Sequence, residues 1–375
     1  MASGLGRTKT RDSDDIASGF SRKETRDSGF ALSGQQEAPV RMTLSRLAVL
    51  LAAAGLVSLG SAQAPQRPYR HQVTRMSMAC AYAIDAYGLD ADTLPRVLED
   101  ALDEVDRIDR LMSHYKADSP LSRLNREAAQ APVQVDPELF DFIADSMRYY
   151  RDSHGAFDIT VGPLMKAWGF FRGEGHMPAA GELEEARRHV GGNHVIMNAT
   201  DRTIRFDQPG VELDLGGIAK GYAVDRAVRL LRDRGVAAAL VSAGGSTTYG
   251  LGTPPGGDGW EVAIQDPVSP QKTALTVRLQ DRALSVSGSY GKWFESGGVR
   301  YSHIMDPRSG MPVQGILSVA VLTATGTAGD VLDDAFFVLG PAGSRRYLNE
   351  VAGTEVYYFV ADRTQPWRLF HARAQ

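Results

Sequence analysis

Between residues 94 and 112 the chain reads LPRVLEDALDEVDRIDRLM, which sets Val97, Leu98, Ala101, Leu102, Val105, Ile108, Leu111 and Met112 on a three-to-four-residue repeat. That spacing predicts an amphipathic helix with a single apolar stripe. A second helix is predicted from Asp136-Pro137, where an N-cap acid precedes a first-turn proline, through Phe140, Ile143 and Met147 to Gly155. A third covers residues 218–234, with Gly235 placed to end it. Four runs read as strands: AALVSA (238–243), WEVAIQ (260–265), TALTVRL (273–279) and LSVAVLTA (317–324). Helices and strands mix without a regular βαβ alternation, so the expected class is α+β. Residues 70–375 contain no long linker and no repeat, and read as one body.

The N-terminus has a different pattern. From Met42 the chain reads MTLSRLAVLLAAAGLVSLGSAQA: Arg46, an apolar run over Leu47–Leu59, then Ala62-Gln63-Ala64. Charge, apolar core and an A-x-A end are the order of a secretory signal peptide, cut after Ala64. The run is too short for a comfortable membrane span. Residues 1–41 are polar, Gly/Ser-rich and carry the fragment TRDS twice, so they are expected to be disordered, with Met42 the true start. The expected product is periplasmic or otherwise exported, and soluble after cleavage.

Composition adds exclusions. The 375 residues are 43% hydrophobic and 23% charged, ordinary for a folded protein. Net charge is −4, and losing residues 1–64 removes eight basic and six acidic residues, leaving −6. With no Lys/Arg run in the body, nucleic acid is not an expected partner. Cys80 is the sole cysteine, so no internal disulfide forms.

Five segments are dense in chemistry-bearing residues. GAFDITVGPLMKAWGF (155–170) reads either as a tight turn with an aromatic lid or as a pocket wall. In the second case Asp158 and Thr160 bond a ligand, and Trp168 and Phe170 offer flat apolar surface. VELDLGGIAKGYAVDRAV (211–228) reads as a strand ending at Gly216-Gly217, followed by a helix with Lys220 in its first turn. Such a junction suits a phosphate, although most are only turns. Gly244-Gly245 permits close approach of backbone to a ligand, or simply a loop. Ser287-Gly288 and Asp306-Pro307-Arg308-Ser309-Gly310 read as polar turns, with His303 between them a candidate general base. AGDVLDDAFFVLG (328–340) places Asp330 and Asp334 on one helix face, where they either cap the helix after Thr325 and Thr327 or hold a divalent cation. Asp333, on the flank of that face, takes the cap reading.

The order of these segments is more specific than any one of them. SHYKADSPLSRLN (113–125), GAFDITVGPLMKAWGF, LDLGGIAKGYAVD (213–225), the Gly-Gly turn, SGSY (287–290), HIMDPRSGMP (303–312) and AGDVLDDAFFVLG together resemble the ApbE family, over about residues 73–360. The resemblance implies an α+β fold around an FAD cleft with Mg²⁺. It implies an enzyme that cleaves FAD, transfers FMN to a Ser/Thr hydroxyl of a membrane-associated acceptor flavoprotein, and releases AMP. Hydrolysis of FAD to FMN and AMP, or flavin binding with little turnover, are the alternatives. Carried over residue by residue, the metal ligands fall on Asp330, Asp334 and the Ala219 carbonyl. Lys220 and Asp225 fall in the FAD-contacting turn, and Met78, Tyr115, Asp158, Gly244, Gly245 and Ser287 along the cleft. His303 and Lys220 carry the catalytic roles. Four positions depart from the family pattern: Met-Gly-Thr reads Met78-Ala79-Cys80, Thr-Ser-Gly reads Val286-Ser287-Gly288, the acidic or amide residue after Gly-Gly is Ser246, and the metal-binding threonine is Asp334. The added charge of Asp334 is expected to strengthen cation binding.

Overall fold

A computed structural model describes residues 68–88 and 90–374. The signal peptide, its cut after Ala64 and residues 1–41 lie outside the described residues. No described helix is long and apolar enough to cross a membrane.

The frame is an eight-stranded sheet in the order Tyr69–Ser77, Cys80–Gly88, Ala238–Ala243, Thr247–Leu251, Arg282–Gly288, Ile316–Thr323, Glu355–Val360, Arg368–Arg373. Every neighbouring pair is antiparallel. Helices and an antiparallel sheet make the class α+β, as the sequence pattern predicts.

Side-chain alternation assigns the two faces. Along the third and sixth of these strands, Ala239, Val241, Val319 and Val321 enter the main core with the helices. Their neighbours Ala238, Ala320 and Leu322 enter a second core, closed by the hairpin Trp260–Gln265 and Thr273–Leu279. Both faces are covered, which is why these strands read as continuous apolar runs rather than alternating ones.

Three helices carry the main core: Leu94–Met112, Ala219–Asp233 and Gly326–Gly343. The first buries the predicted stripe, Val97 to Met112. Pro137–Asp152 begins as expected, with the Asp136 side chain accepting from the Glu138 amide at 2.8 Å.

Two local expectations are corrected. Residues 211–215 form no strand: Leu213 exchanges both backbone groups with the Asn125 side-chain amide, at 2.9 Å each, in place of a ladder. Ser287-Gly288 is not a turn but the end of the strand Arg282–Gly288, paired with Val319 and Ser318.

The crossing of Ala219–Asp233 and Gly326–Gly343 is built on two glycines. A Cβ on Gly221 would run into the Gly326 carbonyl, and one on Gly326 would meet the Gly221 carbonyl at 2.7 Å. Backbone on both sides leaves nothing flexible to yield. Gly221→Ala should therefore cost about 3 kcal/mol and lower Tm by roughly 5 °C or more in calorimetry. An unchanged Tm would mean that the two helices can separate freely.

Candidate active site

The two helices that cross at these glycines cap each other. Asp225, on Ala219–Asp233, accepts from the Gly326 and Thr327 amides at 2.6 and 2.8 Å and from the Thr327 hydroxyl at 2.5 Å. In return Asp330, on Gly326–Gly343, accepts from the Gly221 amide at 2.9 Å. Each carboxylate satisfies first-turn donors that its partner helix leaves unpaired, and each sits at the positive end of that helix's dipole. Thr325 adds its own cap to the Ala328 amide. The acids of AGDVLDDAFFVLG are therefore not caps of their own helix.

Asp330 is almost fully buried and is held from the sheet as well. Thr247 donates to its Oδ1 at 2.8 Å and Ser246 at 3.3 Å, while the Lys220 ammonium stands 3.9 Å from Oδ2. One turn on, Asp334 accepts from Ser287 at 2.6 Å. Asp333, assigned to the flank by its spacing, is buried too: it shares the Ser287 hydroxyl at 3.1 Å, and its Oδ2 has no partner. Its i,i+3 distance from Asp330 was the signal that it shares the face.

Burial, reinforced by neighbouring carboxylates, holds Asp333 well above the usual carboxylate range. Burial also raises Asp334, to about 6, against the opposing pull of Ser287 and Lys220. Burial lowers the Lys220 ammonium, but the three aspartates outweigh it and the net direction is up. The cluster thus carries more negative charge than one lysine balances, which fits a bound cation. Space fits as well: a Cβ on Gly217 would stand 2.6 Å from Asp334 Oδ2, so only glycine leaves that side of the carboxylate open. Among the described residues no three His, Cys, Asp or Glu side chains are arranged to hold an ion. A site here needs a backbone oxygen beside Asp330 and Asp334, and Ala219 opens the adjacent helix.

The other expected site residues fall in three places. Met78 and Ala79 form the turn joining the first two strands, both in the left-handed region at φ 48° and 59°. The Met78 amide donates to Asp109 at 3.3 Å, and Lys116 pairs with the same carboxylate at 2.8 Å. Gly244, at φ 54°, follows the third strand and is pressed so near Cys80 that a Cβ would stand 2.7 Å from that residue's Cβ; Gly245 follows at φ 79°. Tyr115 is partly exposed and stacks on Phe171, centroids 5.1 Å apart. Lys220 lowers the Tyr115 phenol's shift and Asp214 adds to it, though burial is the main cause that raises it to about 12.

Asp158 is elsewhere. Its carboxylate accepts from the Thr160 amide and hydroxyl at 2.8 and 2.6 Å, and Thr160 in turn accepts from the Gly191 amide at 2.7 Å. It borders a cavity of about 410 Å³ lined also by Tyr150, Arg187 and Arg308, and by none of Lys220, Asp330 or Asp334. Trp168 and Phe170 offer no surface to a ligand: both are fully buried against Met305 and the Trp293–Ser296/Val299–Ser302 hairpin, and Trp168 donates to the Gly310 carbonyl at 2.9 Å.

His303 hangs below that hairpin. Its Nδ1 lies 3.2 Å from the Lys292 carbonyl, an acceptor, so Nδ1 carries the proton and Nε2 is the free base nitrogen. Burial lowers its pKa to about 4 against the opposing hydrogen bond to the Lys292 carbonyl, with the Lys292 and Lys220 charges assisting, so the ring is neutral at pH 7.

A buried carboxylate face on a capped helix is met by a lysine in the first turn of a second helix, so that opposite charges are gathered where the two helices cross. The chain belongs to the ApbE family, whose model matches residues 75–358. It is 33% identical to the FAD:protein FMN transferase of Salmonella typhimurium over 311 residues, 80% of this chain and 88% of that protein. It is 32% identical to the Escherichia coli K12 enzyme of the same name over 336 residues, covering 86% and 94%. Among solved structures, the ApbE protein of Thermotoga maritima superposes with a TM-score of 0.73 at 27% identity, covering 82% of this chain and 97% of that one. The flavin transferase ApbE from Vibrio cholerae gives 0.71 at 28% identity, covering 82% and 98%.

The depressed basicity of His303 fixes a sign. An unfolded histidine takes up a proton near pH 6.5, whereas the folded one waits until about 4. Its contribution to stability is complete above pH 6.5 and is lost as pH falls toward 4, up to about 3 kcal/mol. His303→Gln should flatten this part of the acid limb in urea titrations between pH 4 and 7. An unaltered limb would place the ring in contact with water.

Proposed function

We propose that this chain is an FAD:protein FMN transferase that works with a divalent cation outside the cytoplasm. The observation that carries the reading is the buried Asp330–Asp334 face opposed by Lys220. Family membership and the curated relatives' activity support the reaction class, and the leader-like run from Met42 to Ala64 supports export.

Asp330, Asp334 and the Ala219 carbonyl would hold Mg²⁺, with the two carboxylates and one carbonyl leaving positions for phosphate oxygens. Bound there, the ion supplies charge neutralisation on the pyrophosphate. Lys220 adds a fixed positive charge on the same phosphates. Its ammonium also donates to the Gly216 carbonyl at 2.7 Å, which restricts its swing before substrate arrives. Tyr115 offers a ring face for stacking, and the Gly244-Gly245 turn lets backbone approach the nucleotide.

His303 Nε2 takes the proton of the acceptor's Ser/Thr hydroxyl. That oxygen attacks the phosphorus of the FMN half, the bridging P–O bond breaks, and AMP leaves with the bridging oxygen. The new phosphoester links FMN to the acceptor. The ring is neutral at pH 7, so its Nε2 lone pair is available to accept that proton. The acceptor class is a flavoprotein that presents its site to the exported enzyme, at or near a membrane.

Incubating the mature chain with FAD, Mg²⁺ and a candidate acceptor should give covalent flavin on the acceptor and stoichiometric AMP. AMP without acceptor flavinylation would make it a pyrophosphatase, and bound FAD without AMP a binding protein. Asp330→Ala should abolish Mg²⁺-dependent cleavage and Asp334→Thr should retain it. Asp330→Asn keeps an acceptor for the Gly221 amide, so a loss in that variant too isolates the charge from the cap. His303→Ala should lose FMN transfer, and near-normal rates would remove the base role.

A further inference from the structure

A second histidine stands at the other end of the Lys220 turn. His114 is nine-tenths buried, with its ring centroid 4.0 Å from Tyr115 and 5.2 Å from Phe171. Its Nδ1 lies 3.4 Å from Asp214 Oδ1, and its Nε2 is buried with no partner. That arrangement selects a tautomer. A proton on Nε2 would be a buried donor without an acceptor while the Nδ1 lone pair faced a carboxylate, two penalties at once. A proton on Nδ1 places partial positive charge near the Asp214 carboxylate, 3.4 Å away, and leaves only an acceptor unfilled. Burial lowers the ring's affinity for a second proton against the opposing pull of Asp214, so the neutral form is the relevant one.

The contacts continue beyond Asp214. The same Oδ1 accepts from the Gly216 amide at 2.8 Å, and the Gly216 carbonyl accepts from Lys220 Nζ at 2.7 Å. Lys220 then faces Asp330 at 3.9 Å. We propose that His114 is a positioning residue for Lys220: through Asp214 it fixes the Gly216-Gly217 turn that aims the ammonium, and through its packing between Tyr115 and Phe171 it ties that turn to the aromatic platform. Lys166 and Arg172, each 5.2 Å from the Phe171 ring, and the Lys166–Glu212 pair at 2.6 Å brace the platform from outside. A ring stacked on Tyr115 and a pyrophosphate on Lys220 are then positioned by one rigid unit. This role rests on the transferase reading for its chemistry, but not for its geometry.

The test uses the mature chain and two substitutions. His114→Asn keeps an N–H donor on Cγ where Nδ1 now stands; His114→Leu keeps the bulk and removes the donor. The Leu variant should lower kcat for FAD cleavage about tenfold, the scale of one lost polar contact to a buried carboxylate, with KM for FAD within about threefold. The Asn variant should recover to within about threefold of the parent. Nitrogen NMR of the parent should show His114 as the Nδ1–H tautomer. A Leu variant with the parent's kcat, equal losses in Leu and Asn at unchanged Tm, or an Nε2–H tautomer would each overturn the proposal. Should the parent cleave no FAD, the transferase reading is what fails. The tautomer and the hydrogen-exchange protection of the Gly216 amide, retained in Asn and reduced in Leu, then decide the positioning role alone.

Discussion

The reciprocal capping of two helices is the constraint from which the rest of the site follows. Asp225 closes the start of Gly326–Gly343, and Asp330 closes the start of Ala219–Asp233. The exchange is possible only because Gly221 and Gly326 let the backbones meet. Once Asp225 has taken the amides of Gly326 and Thr327, and Asp330 that of Gly221, Asp333 and Asp334 have no capping work left. They are free to concentrate charge. The same contact sets Lys220, in the first turn of one helix, against Asp330 on the other. Electrostatic geometry that might have needed a long loop is set by two rigid elements, which is the more accurate way to hold charged groups.

The cost of this arrangement is visible in the acids themselves. Asp333 and Asp334 are both held above the ordinary carboxylate range, chiefly by burial. One serine hydroxyl, that of Ser287, has a single proton to offer between them. Buried carboxylates that share one donor are stable only when something else supplies positive charge or a proton. Lys220 supplies part. Under the proposed function a cation would supply the remainder, so that binding it and relieving internal repulsion are the same event.

How much of this could be read from the chain depends on the range of the interaction. The helices at 94–112 and 137–152 follow from local periodicity and a proline-proximal cap, and both are found. The order of motifs identified the family, because order survives where individual spacings are ambiguous. The local readings failed where a distant partner decides. Residues 211–215 have the residues of a strand, but an asparagine 88 positions away takes their backbone groups. Trp168 and Phe170 look like a ligand platform until the distant Trp293–Ser296/Val299–Ser302 hairpin covers them. Asp225 caps a helix that begins 101 positions away, a contact no local pattern reveals. Asp333 is the exception, since its spacing from Asp330 was local and sufficient.

Two of the four departures noted in the sequence, Ala79-Cys80 and Ser246, lie on the side of the site away from Asp333 and Asp334. Ala79 takes φ 59° in a turn where the family has glycine, a conformation that costs an alanine roughly 1 kcal/mol. Cys80 follows it and lies directly against Gly244, so the turn at 78–79 and the turn at 244–245 are packed into each other. Ser246, the next residue, reaches Asp330 with its hydroxyl rather than with an acid or amide. A change in any one of these three positions is felt by the others through backbone contact. Asp109 stabilises the group from below, joining the Met78 amide, Ser77 and Lys116 on one carboxylate. This side of the site is thus a single packed unit, whereas Asp330, Lys220, Gly221 and Asp225 are each tied to the helix crossing itself.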